Sequence, residues 1–172
     1  SVQNQLGLDK VYLMPTYLPP HVDEKKTISS EHRLAMLELA VSDNPCLDIE
    51  PIELIRKGKS YTYDTMKALK EANPDTDYYF IIGGDMVEYL PKWHRIDDLL
   101  HLVQFVGIRR PNYPTESTYP IIWVDVPQMA ISSTLIRQKV KSGCSTRYLL
   151  PENVINYIQE KGLYQDELDN KL

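Results

Sequence analysis

The sequence predicts an α/β fold built on a parallel, doubly wound sheet, and three observations carry that expectation. Short strand-like runs alternate with helical patterns along the chain, which is the signature of βαβ units. Residues 78–82, Tyr-Tyr-Phe-Ile-Ile, are five consecutive apolar or aromatic residues without alternation, as in a strand buried on both faces of a parallel sheet. The chain has 172 residues, 42% of them hydrophobic and 25% charged, which suits a single domain spanning residues 1–172 with a substantial core.

Taken in order, residues 1–8 read as the last turn of a helix capped by Gly7, and residues 11–14 as a buried strand stopped by Pro15. A loop follows through Pro19, Pro20 and His21 to Lys26. Ser29 or Ser30 then caps a helix with Leu34, Leu37 and Val41 on one stripe, ending near Asn44-Pro45. Residues 47–54 alternate and read as a strand, and the chain turns at Gly58. Ser60 and Thr62 are candidate caps for a helix burying Met66 and Leu69. The apolar run at 78–82 enters Gly83-Gly84-Asp85, and helical patterns at 86–90 and 96–103 flank Pro91-Lys92-Trp93-His94. Strands are expected at 105–108 and 121–124. A helix opens at Ser132 or Ser133, and a terminal helix starts at Pro151.

Composition narrows the function. A net charge of −5 argues against a general nucleic-acid binder. No apolar run is long enough to span a membrane, and no signal peptide is visible. Cys46 and Cys144 show no metal or redox spacing and read as free thiols of a cytoplasmic protein. The histidines show no metal-ligand spacing, so no metal ligands are expected. There is no Gly-x-Ser-x-Gly elbow, Walker loop or Gly-x-Gly-x-x-Gly fingerprint.

Ligands of doubly wound sheets bind outside the carboxyl ends of the strands, so the stretches after strands are the candidate site. At Ser132-Ser133-Thr134, free first-turn amides and hydroxyls meet Arg137 one turn on, a combination suited to phosphate; a capped helix with a solvated arginine is the plainer reading. Gly83 and Gly84 allow close backbone approach, and Asp85 can cap a helix or accept from ribose hydroxyls. Trp93 can stack on a flat heterocycle or cover the core edge. Thr62 reads first as a cap, and His21 as a phosphate donor or a solvated loop residue.

Together these pieces resemble bacterial nicotinate-nucleotide adenylyltransferases of the nucleotidyltransferase superfamily. The resemblance rests on Met14-Pro15…Pro19-Pro20-His21, Ser60-Tyr61-Thr62-Tyr63-Asp64-Thr65, Phe80-Ile81-Ile82-Gly83-Gly84-Asp85, Leu90-Pro91-Lys92-Trp93, Arg110-Pro111 and Ile131-Ser132-Ser133-Thr134-Leu135-Ile136-Arg137. Tyr148-Leu149-Leu150-Pro151 and Gly162-Leu163-Tyr164 extend it over nearly the whole chain, in order. It implies a Rossmann-like fold with helices on both faces of the sheet. It also implies adenylyl transfer from ATP to nicotinate mononucleotide, with Mg²⁺ accompanying ATP. Ser132, Ser133, Thr134 and Arg137 would hold ATP phosphates. Gly83, Gly84 and Asp85 would line the nucleotide and ribose site, with Arg110 near the adenine. Trp93 would stack on the pyridine ring, with Thr62 and the His94 amide at the nicotinate carboxylate and His21 in the nearby loop. A homodimer is a further implication.

The family motif Gly-Gly-Thr-Phe-Asp-Pro-x-His-x-Gly-His is absent. The resemblance puts it upstream of Ser1, so the first strand and the expected catalytic histidines are missing from these residues, which by themselves are expected to have little activity. Val22 also follows His21 where many members carry a basic residue. Alternatives are a sister enzyme using nicotinamide mononucleotide or phosphopantetheine, a non-catalytic nucleotide-binding module, and a structural domain.

Overall fold

A computed structural model describes residues 1–17 and 28–165. These form two compact units interleaved in sequence, one of Ser1–Leu8 with Ser60–Gln128, the other of Asp9–Lys59 with Met129–Leu172. His21 lies outside the described residues.

The first unit contains α1 (Val2–Leu6), α4 (Thr62–Ala72), β3 (Tyr78–Gly83), a 3₁₀ helix (Gly84–Lys92), α5 (Ile96–Leu99), β4 (Val103–Ile108) and β5 (Ile121–Val124). Its sheet is parallel, in the order β3-β4-β5. Phe80 pairs with Phe105 and Gly83 with Ile108, so the carboxyl ends of β3 and β4 finish side by side. Leu90, Leu99 and Phe105 are 0% exposed and pack in one core with Tyr63, Met66, Ile82 and Val87; Val106 is likewise 0% exposed. Trp123 lies across Gly107, where a Cβ would meet its ring at 2.8 Å, so the glycine makes room for the indole.

The second unit contains β1 (Val11–Leu13), α2 (Ser30–Val41), β2 (Leu47–Ile49), α3 (Ile52–Arg56), α6 (Ser133–Lys141) and α7 (Glu152–Lys161). Strands β1 and β2 are parallel. Val154 and Ile158 of α7 are buried with Leu163 against Met36, Leu39 and Ala40 of α2. His32 Nδ1 meets the Tyr157 hydroxyl at 2.8 Å, and Asn153 Nδ2 donates to the Leu39 carbonyl at 2.7 Å.

The parallel α/β architecture agrees with the sequence reading, and three local expectations need correction. The strand expected at 47–54 stops at Ile49, because Pro51 lacks an amide for the ladder and opens α3 instead. The run at 78–82 is not covered on both faces: Tyr79 is exposed, and β3 has a strand neighbour on one side only among the described strands. β4, between two neighbours, is covered more completely, with four of its six residues buried. The pattern at 96–103 yields one helical turn before Val103 enters β4. Met36, Leu39 and Ala40 of α2 face α7, and Leu34, Leu37 and Val41 are partly buried as well.

Candidate functional site

In the first unit, the chain leaves β3 at Gly83 and enters the 3₁₀ helix at Gly84. Gly83 has φ −69° and ψ 146°, ordinary extended backbone, so space and not conformational freedom explains the glycine. A Cβ on Gly83 would fall 2.5 Å from Asp85 Oδ1 and 3.4 Å from Arg110 Nε. A Cβ on Gly84 would fall 2.8 Å from the Ile108 carbonyl oxygen and 3.3 Å from the Trp123 ring. The pair therefore lets the turn lie flat on the end of β4. Arg110, just past β4, brings Nε to 3.3 Å from Asp85 Oδ1, an ionic contact without hydrogen-bond geometry. That oxygen is buried and takes no hydrogen bond. The neighbouring Arg109 is committed elsewhere, its Nη1 at 2.8 Å from Asp125 Oδ2 and its amide on Val124. The structure thus brings Gly83, Gly84, Asp85 and Arg110 together at adjoining strand ends, with a carboxylate oxygen left to accept.

The 3₁₀ helix leads directly to Trp93 and His94. The Trp93 indole packs edge-on against Phe80 and Phe105, each 5.9 Å between centroids, so the core-edge reading of this residue holds. It is only partly buried. Thr62 is the first residue of α4 and not its cap; Tyr61 takes the cap position and provides no side-chain bond to the first-turn amides. The Ser60 hydroxyl, the other candidate cap, is buried without a hydrogen bond. His94 stacks on Tyr61 at 4.5 Å, tilted by 34°, and meets the edge of Tyr63 at 6.5 Å. Arg95 covers Tyr63 at 4.2 Å and is fixed by Asp98 at 2.8 Å, which raises its basicity further. The two rings that flank Thr62 in sequence thus both meet His94. Sequence reasoning passed over Tyr61 and Tyr63; the Tyr-Thr-Tyr pattern around a candidate residue was the signal.

In the second unit, Ser132 is the N-cap of α6, its hydroxyl accepting from the Leu135 amide at 3.2 Å. Arg137 Nη2 donates to Thr134 Oγ1 at 3.3 Å, as their i,i+3 spacing predicts. No acidic residue stands in the first turn of α6, while Lys139 and Lys141 occupy its last, so the amide end stays open to an anion. Ser133 and Arg137 line a cleft of about 570 Å³ with Thr16 and Arg33. Arg33 was not anticipated. Its Nη1 donates to the Thr16 carbonyl at 2.7 Å and its Nη2 to the Tyr17 carbonyl at 3.1 Å, clamping the chain where it leaves β1. Burial depresses its basicity, with Tyr164 partly offsetting the effect. A single arginine in a helix dense with apolar residues gives no periodic signal, so only the fold exposes this role.

Among the described residues, no three His, Cys, Asp or Glu side chains converge as a metal site, and no helix is long and apolar enough to cross a membrane. Both cysteines are free.

A model of the cytidylyltransferase-like family matches residues 1–139. An Enterococcus faecalis protein described as "Probable nicotinate-nucleotide adenylyltransferase" is 99% identical over 172 residues, covering 100% of this chain and 78% of that protein. A Streptococcus mutans protein of the same description is 61% identical over 165 residues, covering 96% and 79%. Among solved structures, the Plasmodium falciparum nicotinic acid mononucleotide adenylyltransferase complexed with NaAD aligns at a TM-score of 0.75 and 18% identity, over 95% of this chain and 86% of that one. The same enzyme complexed with APC gives 0.73 and 17%, over the same shares.

Proposed function

The chain belongs to the nicotinate-nucleotide adenylyltransferases of the cytidylyltransferase-like family, and from that premise we propose which of its residues serve the transfer. The reaction joins the adenylyl group of ATP to nicotinate mononucleotide, in NAD biosynthesis. A phosphate oxygen of the mononucleotide forms a bond to the α-phosphorus of ATP, and the bond from that phosphorus to the bridging oxygen breaks. Nicotinate adenine dinucleotide and pyrophosphate result. Such a transfer depends on aligning two anions and on neutralising the charge of the leaving group.

The observation that best supports a nucleotide site in this chain is the Asp85–Arg110 pair at the joined ends of β3 and β4. Asp85 is suited to ribose hydroxyls, its Oδ1 being without a hydrogen bond, and Gly83 and Gly84 leave room for that carboxylate and for the end of β4. Arg110 takes the adenine side and holds the carboxylate in place. Ser132, Ser133, Thr134 and Arg137 bind ATP phosphates, through the amide end of α6, its hydroxyls and one guanidinium. Trp93 stacks on the pyridine ring. Thr62 and the His94 amide donate to the nicotinate carboxylate, and His21 contributes to the same acceptor. The roles assigned to described residues are binding and alignment; none is assigned covalent chemistry.

Mg²⁺ enters with ATP. It would supply charge neutralisation to the departing pyrophosphate; among the described residues no three His, Cys, Asp or Glu side chains converge to hold it. Free Cys46 and Cys144 suit a reducing cytoplasm.

The test is pyrophosphate release from ATP with nicotinate mononucleotide, nicotinamide mononucleotide or phosphopantetheine as acceptor. Preference for the acid nucleotide, abolished by EDTA, is the expected result. Preference for either other acceptor overturns the acceptor assignment, and binding of ATP without turnover reduces the protein to a nucleotide-binding module.

A further inference from the structure

The peptide joining Arg109 to Arg110 lies just past the last residue of β4, where the ladder to β5 ends with the Arg109 amide on the Val124 carbonyl. Its carbonyl oxygen still has a partner: Gln128 Nε2 donates to it at 3.1 Å, and to the Val126 carbonyl at 3.2 Å. We infer that Gln128 is a positioning residue for the nucleotide site: it fixes that peptide, and through it the Arg110 guanidinium that faces Asp85. This rests on the reading of Asp85 and Arg110 as part of the ATP site.

The carboxamide suits the task. Its nitrogen has two hydrogens and meets two carbonyl oxygens, so both donors are used. The segment that carries it is itself anchored. Arg109 Nη1 holds the Asp125 carboxylate at 2.8 Å, and Gln5 Nε2 donates to the Asp125 carbonyl at 2.7 Å. The nitrogen end of the Arg109–Arg110 peptide abuts the glycine turn, since a Cβ on Gly84 would lie 3.7 Å from the Arg110 nitrogen. After Arg110, Pro111 and Asn112 form a turn closed by the Tyr113 amide on the Arg110 carbonyl at 3.3 Å, with Asn112 at φ 69°. The backbone of Arg110 is thus held by Gln128 before it and by the turn after it. The side chain is held less firmly: it is half-exposed, and its Nε approaches Asp85 Oδ1 at 3.3 Å without hydrogen-bond geometry. Where the guanidinium stands therefore depends on where the backbone starts it, and a small misplacement of a binding group is costly. Gln128 itself is exposed, so replacing it disturbs the fold little.

The experiment is a double-mutant cycle in the full-length protein, read as the Kd for ATP by calorimetry with thermal melts alongside. Gln128→Met keeps an unbranched side chain and removes both donors. The expected result is a Kd raised about two- to tenfold, the span of one neutral hydrogen bond, with Tm within about 2 °C of wild type. Added to Arg110→Ala, the same substitution weakens ATP binding no further, because the group it places is gone. A merely structural role gives losses that add. Gln128→Ala repeats the cycle with a smaller side chain, so a packing fault of the methionine does not decide it. Normal ATP affinity in both Gln128 variants, or losses that add to that of Arg110→Ala, overturns the role of Gln128 and leaves the ATP site in place. If Arg110→Ala binds ATP as the wild type does, the ATP assignment of Arg110 falls, and this inference with it.

Discussion

Two adjacent glycines make opposite demands, and adding one methyl group to each separates folding from binding. In Gly84→Ala the new Cβ lies 2.8 Å from the Ile108 carbonyl and 3.3 Å from the Trp123 ring. The carbonyl belongs to the last residue of β4, whose strand is hydrogen-bonded on both sides, so it cannot yield cheaply. Overpacking of this kind costs about 1–3 kcal/mol. For a chain of this size each kcal/mol lowers Tm by roughly 2–4 °C, so a loss of several degrees is expected. In Gly83→Ala the nearest atoms are the ends of two side chains, Asp85 Oδ1 at 2.5 Å and Arg110 Nε at 3.4 Å. Both can swing aside. The backbone there is already compatible with alanine, and the lost chain entropy favours the variant by about 0.4–1 kcal/mol. Its Tm should match the wild type within a degree or two. Its cost appears in ATP affinity: displacing Asp85 forfeits a charge-assisted hydrogen bond worth about 1.5–3 kcal/mol, roughly a tenfold or greater rise in Kd. Thermal melts and ATP titration by calorimetry on the two variants check both halves. If Gly84→Ala melts like wild type, or Gly83→Ala binds ATP normally, the packing argument for this turn is wrong.

Four other outcomes follow from the same geometry. Ser132→Ala removes the α6 cap and should cost about 1 kcal/mol in a denaturant melt, whereas Ser133→Ala, whose hydroxyl caps nothing, should leave stability within ~0.5 kcal/mol and raise the KM for ATP. Trp93→Ala should lose about 2 kcal/mol of packing on Phe80 and Phe105 as well as acceptor affinity; Trp93→Phe should recover most of the stability but not all the affinity, read by melts beside acceptor titration. Arg33→Lys replaces a two-armed donor with a single ammonium and should cost about 1–2 kcal/mol, with faster proteolysis after β1 as the readout. Glu53 is 4% exposed, and burial raises its carboxyl above the ordinary range, against a smaller opposing pull from Arg56. The folded state therefore holds this proton to higher pH than the unfolded chain, so its contribution is fully present below about pH 4.3 and declines as pH rises through the folded value. Glu53→Gln removes the decline, and its Tm advantage over wild type should grow from acid to neutral pH.

Local signals were read well where the physics is local. The Gly7 cap, the Ser29 and Ser132 caps and the turn at Gly58 each depend on a few neighbouring residues, and all appear as expected. The i,i+3 meeting of Thr134 and Arg137 is likewise a property of one helix. Two local signals were misread, the stop at Pro51 and the cap at Ser60 or Thr62; another error depended on neighbours distant in sequence. The apolar run at 78–82 says that a strand exists, but how fully it is covered depends on how many strands flank it.

Alternating strand and helix patterns, cap chemistry and a set of short motifs in one order determined the parallel α/β class and the family, because period, turn preference and motif order are written along the chain. Tertiary structure alone decided that Gly83 and Gly84 are needed for clearance, that Asp85 keeps an oxygen open beside Arg110, that Arg33 clamps two carbonyls, and that Tyr61 and Tyr63 share one imidazole. Each of these is a distance between groups that the chain brings together only on folding, and neither residue type nor spacing encodes such a distance.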